Sequence, residues 1–311
     1  MAEAVAVHPL VSPWGRFGLY SYFIDSPEPA IVDTGVTDSP ATGLAPGLAK
    51  LGRRIEDVRW ILLTHGHIDH LGGAYALWEM TGRKAKVVIH EADARLLRSR
   101  AAHVDLYRAV RQQYLDNPNA IEQQIAAANG AISGEMEPTV ILKGGEVLDL
   151  GGGITVTAHA IPGHTAGSVA YVINGQHDVF VGDSVQIHGA ANGFPGYEDP
   201  EAYRASLTFL RDVIKPNRLF LGHPYRHADG VPAGMELDAA KSAAVLQESL
   251  DIEARIAAAA HKALGNGLVE TDSPYSPFES VSAEVGYTGD PALEPSPFFT
   301  TLHGYRAAAG K

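Results

Sequence analysis

Apolar runs that stop at a histidine or an aspartate constrain this chain more than any other feature of it. VRWILL (58–63) is followed at once by THGHIDH (64–70). ITVTAHAI (154–161) leads into PGHT, DVFV (178–181) into GDS, and RLFL (218–221) into GHP. Continuous apolar runs of this kind read as strands buried on both faces. Residues just past strand ends collect along one edge of a sheet, where α/β proteins place their sites. The pattern predicts an α/β fold whose strand ends gather His65, His67, Asp69, His70, His164, Asp183 and His223.

The spacing inside THGHIDH carries chemistry. His65 and His67 are two apart on an extended segment, so both imidazoles point the same way and can meet one ion. Asp69 and His70 follow where a helix begins, and the turn aims them at a second point nearby. Gly72 and Gly73 permit close backbone approach. Two ions need more donors than one segment holds, and His164, Asp183 and His223 supply them. The chain has no cysteine, so disulfides and thiolate ligands are excluded and any metal must be held by nitrogen and oxygen.

Around these motifs, FGLYSYFID (17–25) and AIVD (30–33) read as strands flanking a turn at SPEP. Residues 41–52 and 71–80 read as helices and KVVIH (86–90) as a strand. Residues 91–137 change character and read as an inserted helical cap, broken near Asn117 and Pro118. Strands resume at 139–142, 154–161, 168–173, 178–183 and 218–222, with an amphipathic helix at 200–214 and a long helix over about 236–264. The division that follows is a main domain over 1–235 and a C-terminal segment, 236–311, of long helix and Pro/aromatic-rich tail packed on the same domain. The tail (270–305) reads as a wrap over the domain's own surface, with a homodimer arm or a pocket rim as the functional alternatives.

The ordered set THGHIDH, GHT, GDS and GH resembles the metallo-β-lactamase fold hydrolase superfamily, over roughly residues 17–224. The resemblance implies a four-layer αββα sandwich, here with the helical insert and a C-terminal helical extension. It implies that His65, His67 and His164 bind a first metal, that Asp69, His70 and His223 bind a second, and that Asp183 bridges them. Asp33, in IVDTG, falls where the family has an aspartate that supports the metal loop, with Thr64 beside it. The cofactors implied are two divalent ions, Zn²⁺ first, with Mn²⁺ or Fe as alternatives. A hydroxide bridging them would attack a carbonyl carbon, and Asp69 would shuttle a proton to the leaving group. Tyr197 and Tyr225 are candidate oxyanion donors. The remaining histidines are read as ordinary, with His188 a candidate for the pocket wall.

The branch is narrowed by what the chain lacks. Without cysteine it departs from the B1 and B2 lactamases, and with Asp183 from the B3 lactamases. A net charge of −12 disfavours a polyanionic substrate or any nucleic-acid partner. No glutathione-binding C-terminal domain is recognisable. What remains is hydrolysis of an ester-type bond in a small molecule, either a lactone such as an acyl-homoserine lactone or an acyl thioester. The insert and the long helix are expected to roof the site. Arg95, Arg98, Arg100, Arg108 and Arg111 could meet a CoA phosphate, or lie on a solvated helix face. A mononuclear iron oxygenase on the same fold, and a member that binds a ligand or partner with incidental hydrolysis, are the competing readings. No stretch of 18 apolar residues and no signal-peptide pattern occur, so no membrane association and a cytoplasmic location are expected.

Overall fold

The computed structural model describes residues 5–14, 17–190, 193–294 and 296–310. Residues 1–4 of the N-terminal stretch, Asn192 of NGFPGYEDP and Pro295 of the tail lie outside this range.

The first sheet takes its six strands in sequence order: β1 (Ala6–Trp14), β2 (Phe17–Asp25), β3 (Ala30–Val32), β4 (Trp60–Leu62), β5 (Lys86–His90) and β6 (Val140–Leu142). β1, β2 and β3 pair antiparallel, whereas β3 to β6 run parallel. One edge is β1, with Pro9 opposite Tyr22 and Pro13 opposite Gly18, and the other is β6. The second sheet contains β7 (Val147–Asp149), β8 (Thr155–Ala160), β9 (Val169–Ile173), β10 (Asp178–Phe180), β11 (Arg218–Phe220) and β12 (Glu236–Asp238), in the order β12-β11-β10-β9-β8-β7. Only β10 and β11 are parallel neighbours. The helices are α1 (Ala45–Lys50), α2 (Ile68–Leu71), α3 (Ala74–Met80), α4 (Ala94–Arg98), α5 (Arg100–Ala109), α6 (Ala120–Ala131), α7 (Pro200–Phe209), α8 (Ala239–Asn266), α9 (Glu279–Val285) and α10 (Pro297–Ala308).

Alternation along each strand builds the four layers. Trp60 and Leu62 of β4 face the space between the sheets, with Tyr22, Val88, Tyr171 and Phe180. Ile61 points the other way, into an outer layer with Leu77, Leu96, Leu97 and Ile132. In β9, Val169, Tyr171 and Ile173 face inward, and Ala170 and Val172 meet α7, α8 and α10 outside. Each large side chain buried this way contributes roughly 1.5–3 kcal/mol. Strands with two buried faces have no solvent side, which is why their sequences are apolar without a break.

Several features differ from the expectations. The second sheet continues past residue 235, because β12 pairs antiparallel with β11. The long helix therefore starts at Ala239, where Asp238 caps it by accepting from the Lys241 N–H at 2.9 Å. Its apolar face packs on the outside of the second sheet with α7 and α10. Part of the insert is itself the outer helical layer of the first sheet, and its far turn meets the tail, where Tyr114 stacks on Phe299 at 5.1 Å. The tail carries α9 and α10. Buried Glu253 of α8 ties it down, taking the Tyr305 hydroxyl at 2.7 Å and Arg204 of α7 at 2.5 and 2.9 Å. Among the described residues no helix is long and apolar enough to cross a membrane.

Candidate metal centre

Topology delivers the histidines and carboxylates to one place. β3, β4 and β5 are parallel, so Asp33, the loop 64–70 and residues 91–93 emerge at the same edge of the first sheet. β8, β10 and β11 run in one direction, so His164, Asp183 and His223 emerge together from the second. The two edges are joined across the sandwich by the Val169 N–H donating to the Thr64 carbonyl (2.8 Å) and the Tyr171 hydroxyl donating to the Leu63 carbonyl (2.9 Å).

All seven residues meet there, as two groups. His65, His67, His164 and Asp183 form one, and Asp69, His70 and His223 the other, with donor atoms in each within 4.8 Å of one another. In the first group His65 Nε2 lies 3.2 Å and His164 Nε2 2.9 Å from His67 Nδ1. In the second, His70 Nε2 is 3.2 Å from His223 Nε2, and Asp69 Oδ2 is 3.0 Å from His223 Nε2. Asp183 lies between them, with Oδ1 3.3 Å from His70 Nε2 and Oδ2 3.5 Å from His223 Nε2 and 3.7 Å from His164 Nε2.

The surroundings fix which ring nitrogens carry protons. His70 Nδ1 faces Asp33 Oδ2 at 2.9 Å and His164 Nδ1 faces the Gly196 carbonyl at 2.7 Å, so both are donors and, in the neutral imidazoles that bind a metal, the Nε2 lone pairs point inward. Thr64 Oγ1 donates to Asp33 Oδ2 (2.8 Å) and so accepts from His65 Nδ1 (3.1 Å), leaving His65 Nε2 free to bind. Inward lone pairs about 3 Å apart repel unless a cation lies between them. Asp183 Oδ1, buried and without a hydrogen-bond donor, is the same signal. The donor set, all nitrogen and carboxylate oxygen, suits Zn²⁺ and other divalent first-row ions.

Electrostatics follow from burial and from the mixed charges. Burial pushes the imidazoles of His65 and His67 well below their usual range, and that of His164 below it. For His70 burial acts in the same direction, but Asp183, Asp33 and Asp69 outweigh it and hold the imidazole well above its usual range. His223 is likewise raised against burial by Asp183 and Asp69. Burial alone would raise the carboxyls of Asp183 and Asp69. His223 and His70 hold Asp183 well below the usual range, and the same two histidines lower Asp69.

The two tyrosines part company. Tyr225 is buried next to His223, with its hydroxyl directed at the Asp183 carboxylate, and burial followed by that carboxylate keeps it protonated. Tyr197 is a correction: its ring stacks on Tyr203 at 4.2 Å within the core, and its hydroxyl is 3.2 Å from that of Tyr305. A side chain packed by α7 and α10 cannot serve as a donor at the strand ends. His188 is also turned away, to Glu248 of α8 at 3.3 Å, where His227 meets the same carboxylate at 2.6 Å. Gly72 and Gly73 serve close approach, as read, but of other backbone: a Cβ would lie 2.2 Å from the Ala131 carbonyl and 2.4 Å from the Thr34 carbonyl. Sequence reasoning missed Gln186, which holds the Gly196 backbone by accepting its N–H and donating to its carbonyl, both at 2.7 Å. A polar residue three positions after GD was the available signal.

Four of the insert's five arginines are engaged within the chain. Arg98 pairs with Glu137, Arg108 with Asp105 and Arg111 with Glu294, and Arg100 donates to the Ile132 carbonyl. Between insert and tail lies a cavity of about 450 Å³, lined by Tyr107, Gln113, Tyr114, Asp116, Glu270 and Glu294 among others, with neither lysine nor arginine in its wall among the described residues.

The profile of the metallo-beta-lactamase superfamily matches residues 14–223, and the chain belongs to that superfamily. It is 28% identical over 209 residues to a hydroxyacylglutathione hydrolase from Synechococcus sp. (strain JA-2-3B'a(2-13)), covering 66% of this chain and 64% of that one. A hydroxyacylglutathione hydrolase from Rhodobacter capsulatus is 30% identical over 198 residues, covering 62% and 60%. The chain thus spans less than two thirds of the length of these relatives. A metallo-beta-lactamase family protein from Thermus thermophilus superposes with a TM-score of 0.68 at 22% identity, over 98% of this chain and 94% of that one. An archaeal superfamily protein from Sulfolobus tokodaii gives 0.58 at 19%, over 98% and 100%. Both structural likenesses establish the αββα fold.

Proposed function

We propose that this protein is a dinuclear metal-dependent hydrolase of an ester-type bond, acting on a lactone or an acyl thioester. The observation that carries the reading is the intact double donor set, sharing Asp183 between its halves. His65, His67 and His164 would hold one ion, Asp69, His70 and His223 the other, and Asp183 both. Two divalent ions held there supply Lewis acidity and make water reactive near neutral pH.

The chain's own residues do the rest. Asp33 and Gly196 hold His70 and His164 in the inward-facing tautomer. The Tyr225 hydroxyl, kept protonated by burial and by the nearby Asp183 carboxylate, lies beside Asp183 as a donor. Asp69, 3.0 Å from His223 and with a more exposed side chain than Asp183, is placed to pass a proton to the leaving group. The intact trio of Asp69, His70 and His223 speaks against a single-iron oxygenase. Names of the relatives favour a thioester. The engagement of four of the insert's five arginines within the chain favours a substrate without phosphates.

The test is metal content by elemental mass spectrometry, followed by a panel of lactones and acyl thioesters. Two equivalents of metal and turnover of one class are expected, with Asp69→Asn losing most of that turnover while retaining the fold. Two equivalents without turnover of either class would sink the substrate assignment, and no metal after reconstitution would sink the reading as a whole.

A further inference from the structure

Asp93 stands at the N-cap of α4, yet its side chain does not cap that helix. A capping aspartate stabilises its helix, so its diversion has a cost. The carboxylate, 3% exposed, turns instead to two other loops. Oδ2 accepts from the Gly66 N–H at 2.8 Å and from the Thr165 hydroxyl at 2.7 Å, and Oδ1 accepts from the Gly167 N–H at 3.1 Å. Gly66 lies between His65 and His67, and Thr165 follows His164. One buried carboxylate therefore joins the two loops that carry the three histidines of the first group.

The glycines are fitted to this contact. A Cβ on Gly167 would lie 2.4 Å from Asp93 Cγ and 2.6 Å from its Oδ1, and one on Gly66 would lie 3.1 Å from Asp93 Cβ. A side chain at Gly167 would collide with the carboxylate itself, whereas one at Gly66 would crowd Asp93 and collide with Leu96 Cδ1 at 2.4 Å. Sheet order supplies the logic. β4 lies between β3 and β5, so the loop after β4 is braced on one side by Asp33, which follows β3, and on the other by Asp93, which follows β5. Asp33 reaches His70 of the second group. Asp93 reaches only the first.

We propose that Asp93 is a positioning residue for the first metal group alone, holding His65, His67 and His164 at binding distance from one another. The proposal rests on the metal-binding reading above. Its test separates the two groups by comparing zinc affinity in two backgrounds. His223→Ala weakens the second group and His67→Ala the first. Zinc is titrated against a chromophoric chelator, with no substrate present. Adding Asp93→Asn to the His223→Ala background is expected to weaken zinc binding by about 10–100-fold, the usual cost of losing an outer partner. In the His67→Ala background the change is expected to stay below about threefold, a bound set for a group that Asp93 does not touch. Thr165→Val removes one of the three donors with little risk to the fold, and a smaller loss confined to the His223→Ala background is expected. Equal losses in both backgrounds would reduce Asp93 to general scaffolding, and no loss in the first background would overturn the proposal. If the unmutated chain binds no zinc, the fault lies with the metal reading and not with Asp93.

Discussion

Replacing Asp33 by asparagine tests how far one proton position governs the second metal group. The backbone at Asp33 has φ of +57°, a conformation that asparagine tolerates, and the two side chains are nearly isosteric. The acceptors differ. Asp33 Oδ1 takes the Thr64 N–H at 2.8 Å, and Oδ2 takes the Thr64 hydroxyl at 2.8 Å and His70 Nδ1–H at 2.9 Å. Asparagine offers one oxygen. If that oxygen stays opposite the Thr64 N–H, the amide NH₂ faces His70 Nδ1, and the imidazole proton must move to Nε2. A proton there points at Asp183, 3.3 Å away, and removes the lone pair that His70 contributes. If the amide flips, its NH₂ opposes the Thr64 N–H, and a buried donor left without a partner costs about 1–3 kcal/mol. The first arrangement costs about 10–100-fold in affinity for the second ion, or about 1.4–2.8 kcal/mol. Metal content during chelator titration, read with the thermal midpoint of the metal-free protein, distinguishes them. One ion is expected to leave at roughly 10–100-fold lower chelator than in the wild type, while the other stays. A variant that holds both ions as tightly as the wild type would refute the claim that Asp33 sets the His70 tautomer.

Three further outcomes follow from the structure. In Gly222→Ala the new Cβ would lie 2.3 Å from Asp183 Oδ1 and 2.8 Å from the Gly182 backbone, so binding at both proposed metal positions is expected to weaken together, measurable as metal content falling below one equivalent where two are expected of the wild type. Arg204→Ala leaves buried Glu253 with the Tyr305 hydroxyl alone and is expected to cost about 1.5–3 kcal/mol in denaturant unfolding; an unchanged midpoint would refute the role given to that pair. Burial, aided by Asp93, raises Glu198 to about 7 from a usual value of 4.5. A carboxyl whose folded value is raised stabilises fully below about pH 4.5, and that contribution is lost as pH rises to about 7. Relative to wild type, Glu198→Gln is therefore expected to gain on the order of 3 kcal/mol between those limits, and parallel stability–pH curves would contradict it.

The sequence is most legible where burial on two faces leaves an unbroken apolar run. β2, β5 and β9 come out nearly residue for residue, and the seven candidate donors converge in two groups, because the ends of such strands and their ionisable residues are marked by the same abrupt change in polarity. The misses have physical causes. β1 contains Pro9 and Pro13, which argue against a strand except at an edge. β7 and β12 are three residues each, and ELD of β12 runs straight into a helix that its own Asp238 caps. α10 contains paired phenylalanines and a glycine, whose helical state is set by packing on α7 and α8. Tyr197 was misplaced because nearness in sequence to Asp183 says nothing of direction, and its ring follows α7 into the core. Asp93 and Gly167 carry no pattern by themselves: the first looks like a helix cap, and only the order β3-β4-β5 discloses its reach.

The prolines of β1 bear on self-association. A proline has no N–H to give to a neighbour within the sheet, so its nitrogen in a paired strand faces away from the partner. Pro9 and Pro13 share one parity along β1, on which Val11 is the residue between them. The outer border of the first sheet is thus stripped of two same-side amide protons, and a foreign strand laid against it would find a broken ladder. With Val11 and Trp14 exposed there, this border would otherwise invite polymerisation. Growth of a continuous intermolecular sheet from this border is blocked at its first rung.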